Sequence, residues 1–539
     1  MMRRMSWRCR TALIGLFAGV GLVACGNSGS ADDDDDGNGA DATVPPPPPP
    51  AVCDDPPPLV DTSAPAHVVG DGTAGSCTPA ALEAAVAAGG TIAFACGGPA
   101  TITLARALVP TLDTVLDGGG QVTLSGGNTT RLITMDTGSF EARSPHLTVQ
   151  RITLRDGHAT GPLLEGGGGA IYFVGGSVTA IDATFLDNRA ELTGPDVAGG
   201  AIFAIGAGEL IIGGSRFAGN RASNGGAIGV LGAALRMVNT SVVDNTATGS
   251  GANYVENDVQ LGMGGNGGGL SMDGQGRALY LCGSTFQGNS SGAFGGAIFR
   301  TGYASEPNEV HRSAFLDNRA RDRTDELPSG AGALYLQGVR VTMTASTVAG
   351  NQALGAAGVW ILGHGAAAAT ADLTNVTITG NATYPRQPLT ERGVAAGLNL
   401  GDNTTGTLTN VTITGNAGQF GSGIWNASAL TIRNSIIAND ADNLYTPLNC
   451  TGSSYESPPA TGTNNVQWPT GLNVADDMDC TPGIVRVDPQ MGGLADHGGP
   501  TPTVVPGATG LPRGTDCPAI DQRGRPRATG DCAIGAVEP

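Results

Sequence analysis

The amino-acid sequence predicts an all-β fold: a right-handed parallel β-helix with an N-terminal capping helix and a disordered N-terminal tether. The first observation is a repeat, Leu-Thr-Asn-Val-Thr-Ile-Thr-Gly-Asn-Ala, which occurs unchanged at 373–382 and 408–417. The second is composition, since 87 of the 539 residues are glycine and only 4% are aromatic. Repetition at a period of about 30 residues is typical of a stacked solenoid, whose thin coils need many turns and few bulky side chains.

Two short signatures alternate through the middle of the chain, and they predict the strands and the turns. One is Gly-Gly-Ala-Ile, as at 168–171 and 295–298, and the other is Phe-x-x-Asn. Alternating runs such as 201–205 predict strands with one buried face, each paired with the next coil about 4.8 Å away. Asparagine accepts the left-handed turn conformation, and its amides can bond along a stack. The predicted turn ladder is Asn188, Asn220, Asn245, Asn289, Asn318, Asn351, Asn381 and Asn416.

The sequence divides into five parts. Residues 1–24 are predicted as a lipoprotein signal peptide, 25–66 as an acidic and proline-rich disordered tether, 67–100 as an N-terminal cap, 101–440 as the β-helix and 441–539 as a C-terminal cap. The tether prediction rests on a run of five aspartates and a run of six prolines, neither of which can bury apolar surface.

The capping helix and the main insertion are also predicted from local sequence. Thr78-Pro79 followed by an alanine-rich run and Gly89-Gly90 has the N-cap, first-turn proline and glycine stop of a helix. Such a helix would cover the unpaired strand edges at one end of the rod, and the tail would close the other end. The stretch 251–265 is predicted as the largest loop inserted between coils.

The start of the chain indicates export. Arginines precede an apolar run that is too short to span a membrane. The run ends in Leu22-Val23-Ala24-Cys25-Gly26, which resembles the bacterial lipobox. That resemblance implies that Cys25 is lipidated and holds the protein on a membrane, and Gly26, in place of the aspartate of inner-membrane retention, favours the outer membrane. The aspartate run at 32–36 resembles the surface-export tags of some outer-membrane lipoproteins, and a solubilising spacer is the alternative. The alternative is an ordinary signal peptide cut near Ala24.

Charge argues against one class of partner. The first 24 residues hold four arginines and no acidic residue, so their removal takes the formal net charge from −19 to −23. No basic stripe is present to neutralise phosphates, and nucleic acid is therefore excluded as a partner. The expected partners are the outer membrane, reached through the N-terminal lipid, and a surface glycan or protein ligand.

An exported chain can form disulfides, and the spacing of the cysteines suggests three pairs. Cys282 lies inside the strand-like run 279–282 and is predicted as a small buried side chain, while no partner is assigned to Cys53. The candidate disulfides are Cys77 with Cys96, Cys450 with Cys480, and Cys517 with Cys532.

Two families resemble parts of the chain. Gly-Gly-Ala-Ile with Phe-x-x-Asn, from 168 to 318, resembles the paired repeat of chlamydial polymorphic outer-membrane proteins, which implies a pectin lyase-like β-helix displayed at the cell surface. The motifs at 488–489, 496–501, 518–526 and 534–538 are similar to the choice-of-anchor Q domain of exported bacterial β-helix proteins. That resemblance implies that the protein belongs to the class of exported bacterial β-helix proteins, and it implies no catalytic activity.

No catalytic residues, metal ligands or cofactor are predicted. Gly363-His364-Gly365 resembles one short motif of the polygalacturonase family, but the lysine motif of that family is missing and the tripeptide is interpreted as a chance match. Asp187, Asp244 and Asp317 each precede a ladder asparagine, so they are interpreted as turn residues. They would bind Ca²⁺ only if the protein were a lyase.

The sequence therefore favours a lipid-anchored, surface-exposed rod for adhesion or surface display. Two alternatives stay open, because a fold of this kind does not decide function. One is a polysaccharide lyase or glycoside hydrolase, and the other is a non-catalytic glycan-binding protein.

Overall fold

A computed structural model of the protein describes residues 52–274, 277–321, 327–384, 393–439, 448–451, 460–470 and 477–539. The predicted signal peptide, Cys25 and the tether up to residue 51 lie outside the described residues. In the described part the chain coils into a right-handed parallel β-helix, which confirms the predicted fold class. Its strands pair in parallel with the equivalent strands of the neighbouring coils on three faces.

The first face consists of strands Ile133–Asp136, Ile171–Val174, Ile202–Ile205, Ile228–Leu231, Leu270–Asp273, Val359–Leu362, Leu398–Leu400 and Ile424–Asn426. The second face consists of His67–Val69, Gly90–Phe94, Ser177–Ile181, Glu209–Gly213, Ala234–Val238, Leu279–Cys282, Ala369–Thr374, Thr404–Thr409, Ala429–Arg433 and Thr461–Thr463.

The third face consists of Ala100–Thr103, Thr184–Leu186, Arg216–Ala218, Ser241–Val243, Thr285–Gln287, Ala314–Leu316, Thr347–Ala349, Thr377–Thr379, Thr412–Thr414, Ile436–Ala438, Val466–Trp468 and Val485–Arg486. Four long strands bend across two faces: Thr114–Ser125, His146–Arg155, Ile298–His311 and Leu334–Thr344. A separate short row follows the third face: Arg221–Ala222, Thr246–Ala247, Ser290–Ser291, Arg319–Ala320, Gln352–Ala353 and Ala382–Thr383. Two antiparallel hairpins lie outside the coils: Val255–Glu256 with Val259–Gln260, and Arg513–Gly514 with Cys532–Ala533.

The bore of the helix is filled by one continuous cluster of buried aliphatic and phenylalanine side chains. The phenylalanines of the second signature superpose on successive coils. Phe185 stacks on Phe217 with ring centroids 4.4 Å apart, and Phe286 stacks on Phe315 at 5.5 Å. Because burial of each such ring stabilises the fold by roughly 2–3 kcal/mol, this column is a main source of cohesion between coils.

The predicted ladder asparagines form one continuous hydrogen-bonded column, and all eight side chains are buried. In each step Nδ2 of one asparagine donates to Oδ1 of the next, from 3.0 Å for Asn188 to Asn220 down to 2.8 Å for Asn381 to Asn416. The same Oδ1 also accepts the backbone N–H of the preceding ladder residue, as from Asn188 to Asn220 at 3.0 Å. The column continues beyond the predicted set through Asn439 and Asn449.

The predicted helix is present as Pro79–Ala88, capped by Thr78, whose Oγ1 accepts the N–H of Ala81, and ended by Gly89 at φ 73°. The coil stack begins before and ends after the predicted range 101–440, since strand pairing runs from His67–Val69 to Val485–Arg486. The described part contains no helix long and apolar enough to cross a membrane.

The prediction of a solvated tether up to residue 66 is wrong for its last part. Residues 52–66, here called the N-terminal strap, lie along the corner between the second and third faces. Asn239 Oδ1 accepts the N–H groups of Val52 and Cys53, both at 2.9 Å. Further along, the N–H of Val60 donates to Gln150 Oε1 at 2.9 Å. The strap is held because corner side chains satisfy its backbone polar groups.

The strap ends on a buried carboxylate. Thr62 Oγ1 donates to Asp117 Oδ2 at 2.5 Å, and the guanidinium of Arg151 and the amide of Gln150 bond to the same side chain. Burial alone would raise the pKa of Asp117, but these hydrogen bonds outweigh it and lower the pKa to about 2. The carboxylate therefore stays charged and keeps its partners through the mildly acidic range.

The tail lies only in part at the far end: its strands up to Val485–Arg486 continue the coil stack, but its last segment does not. The segment 499–538 lies along the same corner as the strap, over later coils. Asn375 Nδ2 donates to the carbonyl of Ile520 at 2.8 Å, and Gln522 Nε2 donates to Thr347 Oγ1 at 2.8 Å. Asn410 Nδ2 reaches the carbonyl of Ala533 at 3.1 Å. The corner residues hold left-handed conformations, and their short amides are left free to bind the segment.

The structure joins the three predicted cysteine pairs, Cys77–Cys96, Cys450–Cys480 and Cys517–Cys532. It adds a fourth disulfide between Cys53 and Cys282, which are 229 residues apart in the chain. The interpretation of Cys282 as a buried filler is therefore incomplete: the residue is buried at 6% exposure, but its sulfur faces the strap instead of the bore.

Candidate functional site

The outward side chains of the first face form a column of aromatic residues with a gap in it. Each position in the column follows the last residue of a Gly-Gly-Ala-Ile signature or its looser equivalent, so it points away from the bore. The column pairs in register as Tyr172, Phe203, Gly229, Ser271, Phe299, Tyr335 and Trp360. Small residues occupy the column at Gly229 and Ser271 and leave the space between Phe203 and Phe299 open.

This gap is a cleft with a volume of about 280 Å³. Phe203 and Phe299 are three coils apart, which places its end walls roughly 14 Å from each other along the rod. Leu231 and Asp273, in the neighbouring outward column, line its side. The predicted insertion 251–265 carries the hairpin Val255–Glu256 with Val259–Gln260, and its residues Ala252 and Asn253 line the cleft as well.

Phe299 presents one ring face to the cleft. Its other face is stacked on Tyr335, with centroids 5.2 Å apart and ring planes 6° apart, and Trp360 packs edge-on against Tyr335 at 5.4 Å. Because the stack runs along the rod, the free face of Phe299 looks toward the rung of Ser271, whose side chain is too small to cover it. A ring-shaped apolar surface can stack there.

Three polar side chains meet at the edge of the cleft. Tyr303 Oη donates to Asp273 Oδ1 at 3.2 Å, and the ring of Tyr303 packs against His364 at a centroid distance of 4.8 Å. His364 Nδ1 lies 3.1 Å from the carbonyl oxygen of Gly302. Burial raises the pKa of Asp273, and burial together with the nearby Asp273 raises the pKa of Tyr303 to about 12. The pair thus holds a carboxyl group and a neutral phenol in contact.

A buried arginine lies beneath this cluster. Arg300 occupies an inward position of strand Ile298–His311 and is 0% exposed. Its Nη1 donates to the carbonyl of Thr301 at 2.7 Å and its Nη2 to that of Arg277 at 2.6 Å. Burial lowers its pKa to about 10, opposed by the charges of Glu306 and Asp273, so it stays protonated at neutral pH. Its two Nη groups are bound to backbone, and its Nε has no hydrogen-bond partner among the described residues. Its charge acts to lower the pKa of Asp273, against the effect of burial.

Two buried amides line the opposite side. Asn224 Nδ2 donates to the carbonyl of Val197 at 3.0 Å, and its Oδ1 accepts the N–H of Asn266 at 3.0 Å. Asn266 is 6% exposed, and its Oδ1 has no hydrogen-bond partner in the described part of the chain. A buried acceptor without a donor is costly, so this atom has an unused capacity to accept a hydrogen bond.

The arrangement has the features of a small-ligand site: a concave pocket with apolar walls and a few convergent polar groups. The described residues include no group of three or more His, Cys, Asp or Glu side chains placed to hold a metal ion. Asp187, Asp244 and Asp317 lie at left-handed turns with φ of 51°, 54° and 55°, away from the cleft, as the turn interpretation expects.

Sequence reasoning missed this cleft, although it named one member. His364 was interpreted as part of a chance tripeptide, and the structure places it against Tyr303. A signal was present in the position after each Gly-Gly-Ala-Ile signature, where Phe203, Gly229 and Phe299 follow. Reading that position down the repeats would have shown an outward aromatic column with an interruption.

The comparisons with known proteins add fold neighbours of low similarity. No known protein family and no curated protein matches the chain. Among solved structures, tailspike protein 3 of bacteriophage CBA120 is 12% identical over 77% of this chain, with a TM-score of 0.39. The chain spans 61% of that tailspike's length.

PfbA, a surface adhesin of Streptococcus pneumoniae, is 12% identical over 68% of this chain and 86% of its own, with a TM-score of 0.31. The mannuronan C-5 epimerase AlgE4 A-module of Azotobacter vinelandii is 11% identical over 74% of this chain and 94% of its own, with a TM-score of 0.17. The class of this protein is accordingly taken from its own strand pairing, which is that of a right-handed parallel β-helix.

Proposed function

We propose that the protein is a lipid-anchored, surface-exposed rod that binds a glycan in the first-face cleft and acts in adhesion. The observation that carries the proposal is the interrupted aromatic column, in which the free face of Phe299 borders the same cleft as Asp273, Tyr303 and the unpartnered acceptor of Asn266. A pyranose has one apolar face that stacks on an aromatic ring and a rim of hydroxyls that need hydrogen-bond partners. The cleft offers both.

The proposed location of the protein, at the outer membrane and facing outward, is supported by the sequence and by the disulfides. The lipobox-like run ending at Cys25 and the resemblance to polymorphic outer-membrane protein repeats favour an outer-membrane lipoprotein facing outward. The choice-of-anchor Q resemblance favours the same exported class. Four disulfides in the described part fit an oxidising compartment.

The location is tested by proteolysis of intact cells. Added protease is expected to remove the protein from intact cells, and Cys25→Ala is expected to shift it from the membrane fraction to the soluble fraction, because the acyl chains are lost. A periplasmic protein with a native signal peptide serves as the integrity control. Protection from protease in cells whose control also stays intact would contradict surface exposure.

Binding is tested with the purified rod on a glycan array, followed by calorimetry on the hits. Phe299→Ala is expected to weaken binding about tenfold or more, because it removes a stacking face worth about 1.5 kcal/mol. The matched control is Trp425→Ala, which lies on the same face in strand Ile424–Asn426 and is expected to leave the affinity within about twofold. Equal affinity of Phe299→Ala and the parent protein would remove the cleft from the proposal.

A second candidate is a glycan-cleaving enzyme, favoured by one observation. A carboxyl group of raised pKa in contact with a tyrosine is an arrangement suited to a general acid. Incubation with pectin, alginate and chondroitin, with and without calcium, separates the two candidates. Product release that is lost in Asp273→Asn would establish an enzyme, and binding without turnover would establish the adhesin.

A further inference from the structure

The charge of the cleft points to a particular kind of sugar, and this inference rests on the proposed glycan binding. Asp196 and Asp273 both line the cleft, and the charge of Asp196 acts on Asp273. No arginine is among the described residues that line it, and the guanidinium of Arg300 beneath it is bound to two backbone carbonyls. The chain contains no lysine. His364 also lines the cleft, and the charges of Arg300 and His364 act on Asp273 in the opposite sense to that of Asp196. An anionic sugar would meet two carboxylates on the cleft wall and no arginine or lysine among the described lining residues.

Two acceptors of the cleft remain available to a ligand. The hydrogen bond from Tyr303 occupies Oδ1 of Asp273 and leaves Oδ2 for a ligand. The Oδ1 of Asn266, which is buried and has no hydrogen-bond donor among the described residues, is a second acceptor, and it is uncharged. An ammonium group carries three donors and no acceptor, so it suits the free Oδ2 of Asp273 better than a hydroxyl, which both donates and accepts.

The aromatic wall favours a cation for an independent reason. The face of an aromatic ring carries negative charge density and attracts a cation within about 6 Å of its centroid. The free face of Phe299 and the ring of Tyr303 both border the cleft beside Asp273. Carboxylates and ring faces together form a surface for a positively charged group attached to an apolar ring.

We propose that the cleft is selective for an amino sugar with an unsubstituted, protonated amine. The pyranose ring stacks on Phe299, the ammonium lies between Asp273 and Asp196, and Asn266 Oδ1, on the opposite side, accepts from another group of the sugar. N-acetylation removes the charge and two of the three donors, and it adds bulk at the point where the cleft is polar. The ligand class is therefore a glycan of free hexosamine units.

Calorimetry with three probes of equal length tests this: chitosan oligosaccharides, their fully N-acetylated forms and cello-oligosaccharides. At a pH where the amine is protonated, the free amine is expected to bind about tenfold tighter than either neutral probe, and added salt is expected to reduce that difference. Asp273→Asn is expected to remove the preference for the free amine, because it removes the carboxylate that pairs with the ammonium.

The matched control is Asp136→Asn. Asp136 is an exposed carboxylate in the same outward column, four coils from Asp273 in the register 136, 174, 205, 231, 273, and its change is expected to leave the preference intact. Circular dichroism and thermal melting confirm that each variant is folded. Equal or tighter binding of a neutral probe would overturn the amine selectivity while leaving glycan binding in place. Failure of all three probes, together with an empty glycan array, would instead reject the proposed function.

Discussion

Asn289→Ala is expected to lower the free energy of unfolding by about 3–5 kcal/mol, because it leaves several buried polar groups without partners at about 1–3 kcal/mol each. Asn289 Oδ1 accepts both the backbone N–H and the Nδ2 of Asn245, at 3.0 and 2.9 Å. Its own Nδ2 donates to Asn318 Oδ1 and to the carbonyl of Val242, both at 2.9 Å. One truncation therefore breaks the column above and below the residue.

Urea unfolding followed by circular dichroism measures this loss. Gln287→Ala is the matched control, since Gln287 carries the same amide on the same coil but is exposed, and its replacement is expected to change stability by no more than about 0.5 kcal/mol. Asn289→Asp keeps the size of the side chain and changes only its hydrogen-bonding groups and charge. It keeps the acceptor but turns the donor side into a carboxylate facing two oxygens, so it is expected to be at least as damaging as alanine. Parent-like stability of either Asn289 variant would show that the column does not hold the coils.

The coils could be predicted because their causes recur in the sequence. Phe185, Phe217, Phe286 and Phe315 occupy one position of a repeated unit, and the ladder asparagines occupy another. Strand pairing between equivalent coils requires that like residues superpose, so a repeat in the chain becomes a column in space. The structure shows this superposition directly.

The two terminal segments could not be placed, because their contacts do not recur. The bonds between Asn239 and Cys53 join residues 186 positions apart, and the bond between Asn375 and Ile520 joins residues 145 apart. Each segment is irregular and rich in proline or glycine, which predicts a loop but not the surface that it covers. The corner asparagines indicate where each segment lies only after the coils have been placed in three dimensions.

The cleft could be predicted from the sequence only in part. The outward column follows from the repeat, so the gap at Gly229 and Ser271 could have been read from the sequence. The meeting of Tyr303 with His364 could not, because the register shifts within strand Ile298–His311, between Thr301 and Glu306. Such an irregularity re-aims a side chain in a way that periodic reasoning does not predict.

Loss of the Cys53–Cys282 disulfide is expected to release the strap and leave the rod folded. The bond closes a sequence separation of 229 residues, and removing a crosslink of this kind typically costs about 2–5 kcal/mol. Without it, the strap is held by hydrogen bonds along the corner, such as those of Val60 with Gln150 and Thr62 with Asp117. It also keeps the ion pair of Asp55 with Arg236, which is partly exposed and therefore weak. The asparagine column and the packed bore do not depend on these contacts.

The double variant Cys53→Ser with Cys282→Ser is therefore expected to be cut by protease within residues 54–66, with an unchanged far-ultraviolet circular dichroism spectrum. The matched control removes Cys77 and Cys96, which are 19 residues apart beside the capping helix, and it is expected to leave the strap resistant. If the chain is anchored at Cys25, the disulfide also transmits mechanical force from the membrane to the coil that carries Cys282. That coil is far from the capped end, where terminal coils could separate from the stack. A strap that stays resistant in the double variant would show that its hydrogen bonds alone hold it, and the disulfide would then have no mechanical role.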